Sequence, residues 1–223
     1  MRRQLLSLAA LVLLAPLLSN CSSTINVLPK SSIGKASSSS SGWSLGLGST
    51  ESFPTAAPSA SVASAASSHR KDKHGMPVYA FSERSRLVRT TAYCASESDH
   101  LIYGSKNATG TELRYSNRVR SAAADWSFYP VGTVFRIKGL PYLYVVDDYG
   151  SALTSTGTID IFTPNGETMK AWGTRSVEAT VVQWGSFTRS AELLSKRCSY
   201  GHCRDMLANI VRQRPDLRAT ASR

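Results

Sequence analysis

Hydrophobic positions change their spacing several times along this chain. Residues 1–21 carry two arginines, then an apolar run interrupted by Pro16, then small or polar residues before Cys21. Residues 22–68 collapse to Ser, Ala, Gly, Thr and Pro, with five consecutive serines at 37–41. From about Pro77 the pattern becomes short stretches rich in β-branched and aromatic residues, which predict strands over 87–93, 111–115, 120–124, 133–137, 142–146, 158–162 and 177–184. One helix is expected among them, over 164–172, with Pro at its start and Glu167 in its first turn. Beyond Phe187 the spacing turns helical: Ala191, Leu193 and Leu194, then Met206, Leu207, Ile210 and Val211.

Seven short strands in about 100 residues, separated by Gly-containing turns, predict a mainly β domain closed into a six- to seven-stranded barrel; a sandwich is the competing architecture. The chain has 223 residues and 42% hydrophobic composition, enough for one packed core with appendages. Four segments are expected: an export signal (1–21), a Ser/Ala-rich tether (22–76), the barrel with one short internal helix (77–187), and a basic C-terminal helical extension (188–223). About 50 tether residues give an r.m.s. span on the order of 40 Å.

The export signal changes how the charge is read. The formal charge of +11 divides into eight Lys/Arg against three Asp/Glu in 1–85, ten against nine in 86–187, and eight against three in 188–223. The excess sits in the tails, whereas a nucleic-acid reader is expected to carry a basic stripe on its folded face, so no nucleic-acid partner is expected. Basic ends on an exported protein suit anionic lipid or acidic wall peptides. Leu18-Ser19-Asn20-Cys21 resembles the bacterial lipoprotein box, which implies lipidation of Cys21 and a cell-envelope location, anchored in the outer membrane facing the periplasm or exported; a plain signal peptide cut nearby is the alternative. Cys94, Cys198 and Cys203 then allow three disulfide pairings, each leaving one thiol over.

Several stretches between Thr90 and Trp184 occur in one family's order. Thr91-Ala92-Tyr93 is similar to its opening strand, and Ala108-Thr109-Gly110-Thr111 to its Thr-Gly turn. Ser121 to Asp125 followed by Tyr129-Pro130-Val131-Gly132-Thr133 resembles small residues, Asp, then Ile-Pro-Leu-Gly-Thr. Asp148-Tyr149-Gly150-Ser151-Ala152-Leu153 resembles Asp-Thr-Gly-Gly-Ala-Ile, Thr158 to Phe162 resembles the third aspartate strand, and Ala171-Trp172-Gly173 ends the match. The segment thus resembles the 3D domain family, named for three aspartates and related to the catalytic domain of membrane-bound lytic transglycosylase A. The family's usual Lys-Gly is replaced here by Thr154-Ser155.

The resemblance implies a double-psi β-barrel, with Asp125, Asp148 and Asp160 as the three aspartates and Asp160 as acid/base. Tyr93, Thr91, Thr109 and Gly150 are the expected substrate-binding positions, peptidoglycan glycan strands the expected partner, and no cofactor or metal is expected. Cleaving a glycosidic bond needs a carboxyl that keeps a proton near neutral pH. Asp160 lies between Ile159 and Ile161, so desolvation by its neighbours and the like charge of Asp148 are expected to hold that proton. Asp125 before Trp126 is equally well a turn former, and Asp160 could instead pair with Arg120 or Arg136. Rival readings are a wall-binding module of expansin type, a thiol peptidase from Cys94, Asp99 and His100, and a zinc site from Cys198, His202 and Cys203.

Overall fold

The computed structural model describes residues 51–97 and 104–221. Six strands follow in order: β1 (Ser85–Tyr93), β2 (Val119–Ala124), β3 (Val134–Ile137), β4 (Leu143–Asp148), β5 (Ile159–Phe162) and β6 (Arg175–Gln183). They close in the order β1-β5-β2-β4-β3-β6, with β6 returning to β1. The β1/β5 and β2/β4 pairs are parallel and the other four antiparallel. Closure leaves no open edge, and period-two alternation sends Val88, Ala122, Phe135, Tyr144, Val146, Ile159, Ile161 and Val181 into one core. Each large aliphatic or aromatic side chain withdrawn there stabilises the fold by about 1.5–3 kcal/mol.

Residues 111–115, expected as a strand, form a loop with isolated bridges only, Lys106 to Glu112 and Tyr115 to Arg120. The barrel is complete without it, because β2 is already paired on both sides by β4 and β5. The internal helix is present: α2 (Gly166–Trp172) is capped by the Asn165 side chain, which accepts from Thr168 N at 2.9 Å, and ends at Gly173 with φ +61°. The C-terminal segment folds as α3 (Phe187–Ser195) and α4 (Gly201–Gln213), which bury Ala191, Leu194, Cys203, Met206 and Ile210. Both dock on the barrel. Val131 N donates to Ser190 Oγ at 2.9 Å, and Gln213 Nε2 donates to Ser127 O at 3.1 Å.

Composition misled over the end of the tether. Residues 51–76 are packed against the barrel and contain an additional helix, α1 (Ala60–Ser68), with Val62 and Ala66 buried. Phe53 is buried edge-on to Trp172, with centroids 5.0 Å apart, and Arg175 Nη1 donates to its carbonyl at 3.1 Å. Glu51 pairs with Arg120 at 2.7 Å, and Arg120 is held between the rings of Tyr115 and Tyr142. Further along, Arg86 is buried over Tyr79, Tyr129 and Trp184 and donates to Ala80 O and Glu83 O. Gly139 has φ +90°, and a Cβ there would lie 2.5 Å from Ala56 N, so its hydrogen atom is what lets this strap lie flat. Residues 1–50, including Cys21, lie outside the described residues.

Candidate functional site

One alanine organises the acidic residues. Ala123 on β2 is paired with Asp160 on one side and Asp148 on the other. Directly opposed residues of neighbouring strands project to the same face, so both aspartates stand on the outer wall of the barrel, with Cα atoms about 10 Å apart over two strand spacings. Thr91 lies opposite Asp160 on β1, and Tyr93 lies opposite Phe162, extending the same face. Ala123, with its single methyl, leaves room between the carboxylates.

Each carboxylate has its own environment. Thr91 Oγ1 donates to Asp160 Oδ1 at 2.6 Å, and Asp160 is partly exposed. Ile159 and Ile161 point into the core. They therefore do not enclose Asp160 as the sequence suggested; alternation turns them to the opposite face. Asp148 is buried and collects donors: Tyr93 Oη at 3.2 Å on Oδ2, and Ala108 N at 3.0 Å and Tyr149 N at 2.9 Å on Oδ1. Burial pushes the Tyr93 phenol well above its usual range, with the charges of Asp148, Asp147 and Asp160 adding to it. Three carboxylates thus act on one phenol, which marks a site of concentrated negative potential.

Asp147 was not among the expected residues. The pairing of β2 with β4 slips by one residue between Ala122 and Ala123, so Asp147 is the extra residue of a bulge. It turns to Ser121 Oγ, which donates to Asp147 Oδ2 at 2.8 Å. Asp147 is 5% exposed, and no donor among the described residues reaches its Oδ1. Burial raises its pKa to about 6, with Asp148 contributing repulsion.

Asp125 is completely buried, and both its oxygens are engaged. Oδ1 accepts from Ser127 N at 2.7 Å and Ser127 Oγ at 2.6 Å, while Oδ2 accepts from Ser155 N at 2.6 Å. Burial pushes its pKa up against these hydrogen bonds. The arrangement is an Asx turn that ties the end of β2 to the loop before β5, and it places Asp125, expected from the sequence as a site residue, beneath the surface of the wall. Ser155 stands at φ +62°, the left-handed region, where the family pattern carries Gly.

The remaining expected positions serve the wall. Thr109 Oγ1 donates to Asn107 Oδ1 at 2.7 Å, bracing the loop whose Ala108 N reaches Asp148. Gly150 begins a short 3-10 turn, Ser151–Leu153. Trp126 Nε1 donates to Asp148 O at 2.9 Å, and its ring meets Tyr149 edge-on at 5.0 Å. Tyr149 in turn meets His202 of α4 at 5.6 Å, so the C-terminal helices reach the residue next to Asp148. Neither contact was signalled by local sequence pattern.

Arg120 is engaged by Glu51, and the three cysteines are not joined in disulfides. Asp99 and His100 lie outside the described residues, and no group of three or more His, Cys, Asp or Glu among the described residues could hold a metal ion. No curated protein matches the chain. Residues 120–183, from β2 through the end of β6, match the model of the 3D domain family. Those are the strands that carry Ala123, Asp148 and Asp160 on one face, and over residues 120–183 the chain carries a 3D domain, the domain of the double-psi barrel family related to membrane-bound lytic transglycosylase A.

Proposed function

We propose that the protein is a cell-envelope enzyme of lytic transglycosylase type, cleaving the bond between N-acetylmuramic acid and N-acetylglucosamine in peptidoglycan. The observation that supports this reading is the shared face of Asp148 and Asp160 about Ala123. Two carboxylates along a wall suit a sugar polymer lying across it, and family membership narrows the substrate class to cell-wall polysaccharide.

In this reading Asp160 is the acid/base. Its proton passes to the bridge oxygen as the glycosidic C–O bond breaks, and the resulting carboxylate takes the proton of the muramic C6 hydroxyl as that oxygen closes on C1. No water enters, and the product is the 1,6-anhydro sugar. Thr91 fixes the Asp160 carboxyl in place, and Asp148, held by three donors, stabilises the oxocarbenium-like charge. Asp125 holds the wall's loop. The lipoprotein-like end of residues 1–21 supports an anchor at Cys21 in the outer membrane, from which the domain would reach glycan strands in the periplasm.

The test is incubation of the purified full chain with peptidoglycan, followed by mass spectrometry of released muropeptides and sedimentation of the remaining wall. Release of anhydro-muropeptides is expected. Co-sedimentation without release would replace the enzyme by an expansin-like binding module.

A further inference from the structure

The bulge in β4 places a second carboxyl beside Asp148 that the three-aspartate pattern does not include. We propose that Asp147 is a positioning residue of the acidic wall, a carboxyl that works in its neutral form so that substrate meets one anion at the Asp147–Asp148 pair instead of two. The role it plays in turnover rests on the glycan-cleaving reading above; its protonation does not.

The two neighbours are solvated unequally by the protein. Asp148 receives three donors, two of them backbone N–H groups that cannot turn away. Among the described residues Ser121 is the side chain that donates to Asp147, its own backbone N–H contributes least, and its other oxygen is buried without a partner. An ionised Asp147 would therefore carry an unsatisfied buried oxygen next to a second negative charge, which is the costlier of the two ways to share one proton. The groups facing it from other elements do not reverse this. The Tyr93 phenol from β1 is neutral, Asp160 on β5 adds to the negative potential acting on that phenol, and Arg114, a cation that acts on Asp147, belongs to an exposed stretch before β2. The rise of its pKa to about 6 agrees with this arrangement.

Neutral Asp147 retains Ser121 as a partner and leaves Asp148 as the only charge of the pair. When it ionises, the added charge repels Asp148 and disturbs the carboxylate that orients the sugar. Two measurements on the full chain test this. The first follows aspartate carboxyl carbons by NMR across pH in the wild type and in Asp147→Asn. One carboxyl is expected to titrate near pH 6 and to be missing in the variant; full ionisation of Asp147 at about pH 4, the ordinary aspartate value, overturns the proposal.

The second compares, within each protein, anhydro-muropeptide release at about pH 8 with release at about pH 5. Ionisation of Asp160 lowers release in both proteins, and the fall is expected to be roughly tenfold larger in the wild type than in Asp147→Asn, whose amide keeps the neutral state at every pH. Equal falls in both overturn the proposal. If neither protein releases product at any pH, the glycan-cleaving reading fails by itself. The same comparison is then made on peptidoglycan co-sedimentation, where a fall confined to the wild type supports Asp147 and equal behaviour overturns it.

Discussion

Thr91 donates its hydroxyl to Asp160 at 2.6 Å from the directly opposed position on the neighbouring parallel strand. Asp160→Asn retains an acceptor for Thr91 and removes the transferable proton, so release of anhydro product is expected to drop by about 10²–10⁴-fold. The melting temperature is expected to stay within about 2 °C of wild type, which on a domain of this size corresponds to less than about 1 kcal/mol. A large loss of stability in thermal melts would show instead that the carboxylate is structural.

Asp125 belongs to the opposite case. Its carboxylate satisfies Ser127 N, Ser127 Oγ and Ser155 N inside the protein. Asp125→Ala leaves these donors unpaired, and a loss of about 3–5 kcal/mol is expected in denaturant unfolding. Activity per folded molecule is expected to change far less than stability does.

Ser155 occupies φ +62°, a conformation that costs a residue with a Cβ about 1–2 kcal/mol. Ser155→Gly removes that strain and adds about 0.4–1 kcal/mol of entropy to lose from the unfolded chain. The balance is a stabilisation of about 0.5 kcal/mol, read as a small rise in the urea midpoint. A fall in that midpoint would mean the serine contributes more through its side chain than its backbone costs.

Asp147 gives stability a pH dependence of unusual sign for an aspartate. Its pKa is raised by burial to about 6, so between the ordinary aspartate value and about 6 the folded protein holds a proton that the unfolded chain has released. Stability therefore falls as pH rises through that window and stays lower above it. Asp147→Asn is expected to match wild type below about pH 4 and to exceed it above about pH 7, by up to about 3 kcal/mol for a shift of two units. Urea melts of both proteins at the two pH values measure this.

The strands of the barrel were legible because each alternates on a period of two, and the order of small motifs identified the family's wall. Residues 111–115 misled because β-branched and aromatic composition describes a half-buried extended segment, whether or not a neighbour has room to pair with it. The strap was hidden because one Phe53 and a short Val62/Ala66 face decide the docking of a segment whose average composition is that of a linker. Asp160 stood out in the sequence because of its isoleucine neighbours, yet alternation turns Ile159 and Ile161 to the core and Asp160 to the opposite face. Asp147 could not be read at all. Strict alternation puts adjacent residues on opposite faces, and only the slipped register between β2 and β4 brings both acids of the Asp147-Asp148 pair to one face of the barrel.

The most direct test of the acid/base wall is cleavage of peptidoglycan by the full chain in water enriched with oxygen-18, with muropeptides weighed by mass spectrometry. If Asp160 hands one proton out and takes another back while the muramic hydroxyl closes the ring, the new ends are 1,6-anhydro sugars without label, and Asp160→Asn yields them at least about 10²-fold more slowly. New reducing ends that carry the heavy oxygen, or unlabelled product made equally well by Asp160→Asn, would contradict it.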